Sequence, residues 1–269
     1  MVADSRTPDY SALDRPEVLH LLFYPRQQWP TNGAIGSGRD VLMPVGGEIH
    51  VGGRFHVRSS EAADILFFHG NGEIAADYDD LGPLYNQIGL NLLAVDYRGY
   101  GRSTGSPTVS TMMADCHLIL DFVVSWRREQ GHTAPLLVMG RSLGSASALE
   151  LAAHRGDPID GLIIESGFAY AGPLLKLLGV PAESLSFREE DGFANLDKIR
   201  RFSKPTLIIH AERDHIIPFD DGKALYEASP ARQKTLLRIP RANHNDIFAH
   251  ALNPYMDAVK ALTEQAARS

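Results

Sequence analysis

The sequence predicts an α/β fold: a mostly parallel central sheet flanked by helices. Three observations predict it. From Ile65 onward, short apolar runs alternate with longer helical patterns. The runs are continuously apolar, as strands covered on both faces must be. The polar segments with catalytic potential come directly after these runs, at the edge where open parallel sheets place their sites.

Taken in order, residues 1–40 carry Pro16, Pro25 and Pro30 with several glycines, and are expected to form an extended N-terminal arm that packs on the domain or frays. Val41-Leu42-Met43 and Ile49 to Val57 are joined through Gly46-Gly47 and interrupted by Gly52-Gly53. They read as a leading antiparallel ribbon. Parallel strands are expected at Ile65 to Phe68, Leu92 to Val95, Leu136 to Met139, Leu162 to Ile164, Leu207 to Ile209 and Leu236 to Ile239. Thr108 to Arg128 keeps Met112, Met113, Cys116, Ile119, Leu120 and Val123 on one helical stripe. Asp246 to Ala267 does the same with Ile247, Ala251, Tyr255, Ala258 and Leu262. The interval between Ile164 and Leu207 is too long for an ordinary loop and too short for a second domain. Its apolar residues, among them Phe168, Tyr170, Leu174, Leu177, Leu185 and Phe187, point to a small lid over about 168–195; the alternative is one covering helix with its connections. Residues 41–269 are thus expected to be a single domain with a short lid insertion.

Bulk properties narrow the function. A chain of 269 residues with 44% hydrophobic content can bury a full core. The net charge of −7 leaves no basic stripe, so neither nucleic acid nor an anionic membrane surface is an expected partner. Cys116 is the only cysteine, which rules out an internal disulfide and a cysteine-built zinc site; in its apolar helical pattern it reads as a buried structural thiol. Met1 to Arg6 lacks the order of a secretory signal, and no apolar run approaches the roughly 18 residues of a membrane span. The expectation is a soluble, cytoplasmic protein. Nothing in the sequence bears on its oligomeric state.

The chemistry centres on Gly140-Arg141-Ser142-Leu143-Gly144, set between the apolar run Pro135 to Met139 and the helical segment Ser145 to Leu151. It reads as a nucleophile elbow, in which flanking glycines let a strained turn lift the serine hydroxyl into a cleft. Gly101-Arg102-Ser103-Thr104-Gly105 has the same spacing, but a loop separates it from its strand and Ser106-Pro107 follows it, so Ser103 reads as a loop residue. A serine hydroxyl needs a base within hydrogen-bond reach and a group that orients the base. Asp214 follows the Leu207 to Ile209 strand, and His244 follows the Leu236 to Ile239 strand. Glu165, directly after Leu162 to Ile164, and Glu212 are the other carboxylates in reach of that edge. His69, His210, His215 and His250 show no metal spacing, and His69-Gly70-Asn71-Gly72 lacks the Gly-Lys-Ser/Thr ending of a phosphate loop. No cofactor or metal is expected.

In this order, His69 to Gly72, Asp96 to Gly101, the elbow, the aspartate segment and the histidine segment closely resemble the α/β-hydrolase superfamily. Asp197-Lys198-Ile199 leading to Lys204 through His210, with Asn243 to Asp246, looks like the intracellular esterase and thioesterase branch that includes protein-depalmitoylating hydrolases. Where the family usually has glycine, this chain has Ala211 and Asn243; asparagine suits the left-handed backbone such a loop can require. The resemblance implies Ser142 as nucleophile, His244 as general acid/base and Asp214 as its orienting carboxylate. It also implies an oxyanion hole made by the backbone N–H groups of Leu143 and Asn71, with Gly72 the alternative to Asn71. The expected activity is metal-free hydrolysis of a carboxylic ester or thioester, on a small-molecule or acylated substrate, through an acyl-enzyme. A peptidase or amidase on the same triad, and a non-catalytic binding protein of hydrolase fold, are the alternatives.

Overall fold

In the computed structural model, which describes residues 9–28, 38–180, 189 and 192–269, the apolar runs are the strands of one eight-stranded sheet. The strands are β1 (Arg39–Pro44), β2 (His50–His56), β3 (Ala63–Phe68), β4 (Leu90–Val95), β5 (Leu136–Arg141), β6 (Gly161–Glu165), β7 (Thr206–Ala211) and β8 (Lys234–Ile239). Their order across the sheet is β1-β2-β4-β3-β5-β6-β7-β8. The leading ribbon is antiparallel to itself and to β4, and every later pairing is parallel.

Continuous apolar strands serve both faces, and the two halves of the core divide them residue by residue. On β3, Leu66 and Phe68 enter one core while Ile65 and Phe67 enter the other; β5 divides Leu136 and Val138 from Leu137 and Met139 in the same way. The first core is covered by α3 (Val109–Glu129), α4 (Gly144–His154) and α7 (Phe219–Ala228); the second by α2 (Gly82–Gln87) and α8 (Ile247–Ala266).

α3 starts where Thr108 accepts a hydrogen bond from Thr111 N at 3.0 Å and Asp14 Oδ1 accepts from Val109 N at 2.7 Å, so two orphan N–H groups of its first turn are satisfied. It is long and apolar enough to compare with a membrane span, but its stripe, with Cys116 1% exposed, faces the sheet. Burial pushes the Cys116 thiol well above its usual pKa. α8 bends at Ala251, where the backbone leaves helical values, just before Pro254. Of its expected stripe Ala258 is only half-buried; the rest is core.

The N-terminal arm differs from the extended segment expected. α1 (Pro16–Leu22) is helical, with Pro16 at its first position, and Val18, Leu22 and Phe23 join the main core. The arm does pack on the domain, through these apolar side chains, and β1 begins before residue 41. Residues 1–8 and 29–37, including Pro30, lie outside the described residues. So do 181–188, 190 and 191 of the lid interval, with Leu185 and Phe187. What is described there is α5 (Ala171–Leu177), entering from β6, and α6 (Asn195–Ile199), leading to β7. Asp221 Oδ2 holds the start of this interval by accepting from Ala169 N at 2.8 Å.

The base of the interval is tied to the helix that follows Ser142. Buried Glu150 on α4 lies 2.8 Å from Lys198 Nζ, 3.2 Å from His117 Nε2 and 3.0 Å from His154 Nδ1. Burial raises its pKa, but these partners outweigh burial and pull it down to about 2.

Candidate active site

The parallel register sets the site. Phe68, Gly140, Ile164 and Ile208 stand in one row across β3, β5, β6 and β7, so the residues after them emerge together at the carboxyl edge. Ser142 occupies the turn between β5 and α4 with φ 51°, a left-handed conformation that costs a non-glycine residue on the order of 1–3 kcal/mol. The surrounding structure holds it there. Ser142 N donates to Glu165 O at 2.9 Å, and Ser142 O accepts from Ser145 N at 3.0 Å and Ser145 Oγ at 2.6 Å. A Cβ on Gly140 would strike the Gly144 carbonyl, and one on Gly144 would strike the Phe68 carbonyl, which accounts for both glycines of the motif.

His244 brings the pieces together. Its Nε2 lies 3.1 Å from Ser142 Oγ and its Nδ1 lies 2.7 Å from Asp214 Oδ2. Asp214 Oδ1 accepts from Ile216 N at 2.9 Å and Ile217 N at 2.8 Å, which fixes the carboxylate plane. Burial pushes the Asp214 pKa up; the hydrogen bond and charge of His244 with the two backbone N–H groups overcome it and hold the group ionised below the usual carboxylate range. Below it, His210 Nε2 donates to Ile217 O at 2.9 Å.

The structure brings Ser142, His244 and Asp214 into one hydrogen-bonded line and separates the other carboxylates from it. Glu165 faces Arg141 Nε at 3.1 Å and accepts from Tyr255 Oη at 2.6 Å. Glu212 lies at the surface against Arg238 and accepts from Arg241 N at 2.6 Å. Ser103, the serine of the second motif match, accepts from Gly52 N at 2.8 Å and pins a loop to β2. In the histidine loop the left-handed residue is Arg241, with φ 66°, and not Asn243. Asn243 acts through its side chain instead, its Oδ1 accepting from His244 N at 3.0 Å.

Beside Ser142, the N–H of Leu143 has no acceptor among the described residues, and neither has that of Asn71. Within the same turn Gly70 N is engaged, donating to Glu73 Oε2 at 2.7 Å.

Arg141, the variable residue of the elbow, has no role in the sequence reading, yet it sits at the centre of the site's contacts. Its guanidinium is buried under the site, 3.0 Å from Glu73 and 3.1 Å from Glu165, and donates to His244 O at 2.9 Å and Asn245 Oδ1 at 3.1 Å. One cation thus joins the loop after β3, the elbow, the end of β6 and the histidine loop. Burial raises the pKa of both carboxylates; Arg141 brings Glu73 below its usual value, while for Glu165 burial prevails and its pKa stays raised. The signal was available: an arginine between an apolar strand and a glycine turn must find buried partners.

A cleft of about 170 Å³ opens between α5 and the Asp214 loop, walled by Phe168, Tyr170, Leu174, Leu177, Ile216 and Pro218. Leu177 is 56% exposed at its mouth.

Comparison with known proteins agrees with this layout. A family model described as serine aminopeptidase, S33 (Hydrolase_4), matches residues 59–186. The chain is 34% identical over 197 residues to the lysophosphatidylserine lipase ABHD12 of Xenopus tropicalis, covering 65% of this chain and 49% of that protein. It is 31% identical over 208 residues to alpha/beta hydrolase domain-containing protein 17B of Homo sapiens, covering 75% and 66%. The chain therefore spans about half to two thirds of the length of these curated relatives. Among solved structures, the Pyrococcus furiosus esterase Pf2001 superposes with a TM-score of 0.70 at 18% identity, over 89% of this chain and 98% of its own; at that identity the likeness is one of fold. Sequence and fold agree, and the chain belongs to the α/β-hydrolase superfamily of enzymes.

Proposed function

We propose that the protein is a serine hydrolase that cleaves a carboxylic ester or thioester through an acyl-enzyme. The observation that carries this reading is His244, within hydrogen-bond distance of Ser142 Oγ on one ring nitrogen and of the Asp214 carboxylate on the other. Ser142 Oγ attacks the acyl carbon while His244 Nε2 takes its proton. Asp214 holds the tautomer in which Nδ1 carries hydrogen and stabilises the imidazolium. The free N–H groups of Leu143 and Asn71 are assigned to the oxyanion. His244 then returns the proton to the leaving alcohol or thiol, and water, activated by the same imidazole, releases the acid.

An acyl group of hydrocarbon character fits the apolar cleft beside the Asp214 loop, and a lipase among the relatives supports the same substrate class. The depalmitoylase-like branch is the closer assignment within it.

The test is a fluorophosphonate probe followed by a panel of p-nitrophenyl esters, acyl thioesters and aminoacyl amides of graded acyl length. A serine adduct lost in Ser142→Ala, with turnover of esters or thioesters, is expected. Leu174→Trp, which fills the cleft, should shift the preference to shorter acyl chains. No adduct, or labelling indifferent to Ser142→Ala, would sink the hydrolase reading; turnover of amides alone would replace it with a peptidase.

A further inference from the structure

We propose that the segment from Tyr24 to Gln28 is a clasp that sets the oxyanion loop, with Tyr100 and the side chain of Asn71 as its positioning residues. The inference rests on the serine hydrolase reading above.

The segment runs between the loop after β3 and the loop after β4 and bonds to both. Tyr24 N lies 2.8 Å from Asn71 Oδ1 and 2.8 Å from the Tyr100 hydroxyl, and that hydroxyl donates to Asn71 Oδ1 at 2.7 Å. Tyr100 is fully buried, and burial raises its pKa, so its oxygen keeps the proton it donates. Two residues on, Arg26 Nε donates to Gly72 O at 3.2 Å while its guanidinium pairs with Asp77. Gly101 N donates to Arg26 O at 2.8 Å, Gln28 N donates to Gly101 O at 2.9 Å, and Gln27 Nε2 donates to Gly99 O at 2.7 Å. Upstream, α1 roots the clasp in the core through Val18 and Leu22.

The turn from Gly70 to Glu73 holds its near side itself: the Gly70 carbonyl, in the same peptide unit as the Asn71 N–H, accepts from His69 Nδ1 at 2.8 Å and Glu73 N at 3.3 Å, while Asn71 is exposed and finds the partners of its side chain outside the turn. The clasp fixes the far side: Tyr24 N and the Tyr100 hydroxyl donate to the Asn71 side chain, and Arg26 donates to the Gly72 carbonyl. Asn71 N–H is left pointing free, in a fixed frame. A donor held before the reaction begins stabilises the transition state more than one that must be recruited.

The test uses the full chain with Tyr100→Phe, Asn71→Ala, and both together. Active sites are counted by fluorophosphonate titration, so that misfolded protein drops out of the rate. Each single variant should lower kcat per titrated site about 10-fold, less than the ~10²–10³ of deleting an oxyanion donor outright, because the N–H itself remains. KM should stay within about 2-fold, since the interaction is made in the transition state. Affinity for a trifluoromethyl ketone should fall in the same ratio as kcat/KM. The double variant should be no worse than the worse single, because both act through one unit. A role in folding alone would reduce the titratable fraction and leave kcat per site unchanged, and that result overturns the clasp. Additive losses in the double variant overturn it too. Wild-type protein that never labels at Ser142 overturns the hydrolase reading and the clasp with it, whereas an active wild type with unaffected variants overturns the clasp alone.

Discussion

Arg141→Met keeps the aliphatic stem of the buried side chain and removes its charge and donors. Four acceptors lose a partner: Glu73 Oε1, Glu165 Oε1, the His244 carbonyl and Asn245 Oδ1. Glu165 keeps Tyr255, and Glu73 keeps Gly70 N and Tyr78, so neither is stripped of hydrogen bonds, but together they lose their one shared cation. Removing one member of a buried ion pair costs about 3–5 kcal/mol, and with two carboxylates stranded the loss should be about 4 kcal/mol or more. In a chain of this size that is a drop in Tm of about 8–16 °C.

The pH dependence carries a sign. Glu165 already has a raised pKa from burial, and losing Arg141 raises it further. A carboxyl whose folded pKa exceeds its unfolded value binds more protons in the native state, so stability falls as pH rises through that window. Arg141→Met should therefore lie nearest to wild type in mild acid and furthest from it at neutral pH. Thermal unfolding from pH 5 to 8 measures this, alongside Arg141→Met/Glu165→Gln, which removes one stranded charge and keeps a partner for Tyr255. A single variant within about 1 kcal/mol of wild type, or a double variant no more stable than the single, would refute the charge-balance argument.

Asp214→Asn should cost ~10⁴ in kcat, because its amide presents a donor to His244 Nδ1 and forces the wrong tautomer; steady-state rates on titrated enzyme measure it, and a loss below about 10-fold would contradict the assigned role. Glu150, with its pKa drawn down to about 2, contributes stability that is fully present above pH 4.5 and lost as pH falls toward 2. That shift corresponds to about 3 kcal/mol, so Glu150→Gln should melt well below wild type at pH 7 and converge with it near pH 2; a constant difference across the range would show that its ion pairs do not contribute.

The sequence made the architecture legible because strand and helix periods are local. The stripes of α3 and α8 lie within single segments, and the elbow's position depends only on what immediately precedes and follows it. The choice between Asp214 and Glu165 was not local. Both follow strands at the same edge, and only the pairing of Glu165 with Arg141 and Tyr255, whose partners lie 24 and 90 residues away, decides between them. α1 was missed for a different reason: with seven residues it is too short to display a period, and its prolines read as loop. The loop after β3 stood out by resemblance, while the contacts that Tyr24 to Gln28 make with it join residues 46 and 47 positions apart, which no local pattern encodes.

Cys116 has an experimental consequence beyond its packing. It is the chain's one cysteine, it is 1% exposed, its Sγ donates to Met113 O at 3.0 Å, and burial keeps it from ionising. A thiolate-selective reagent will pass it by. The wild-type protein is thus already the background for single-site spectroscopy: a cysteine placed at exposed Leu177 would take a fluorophore or spin label alone, and its signal would report the position of α5 over the cleft through each turnover.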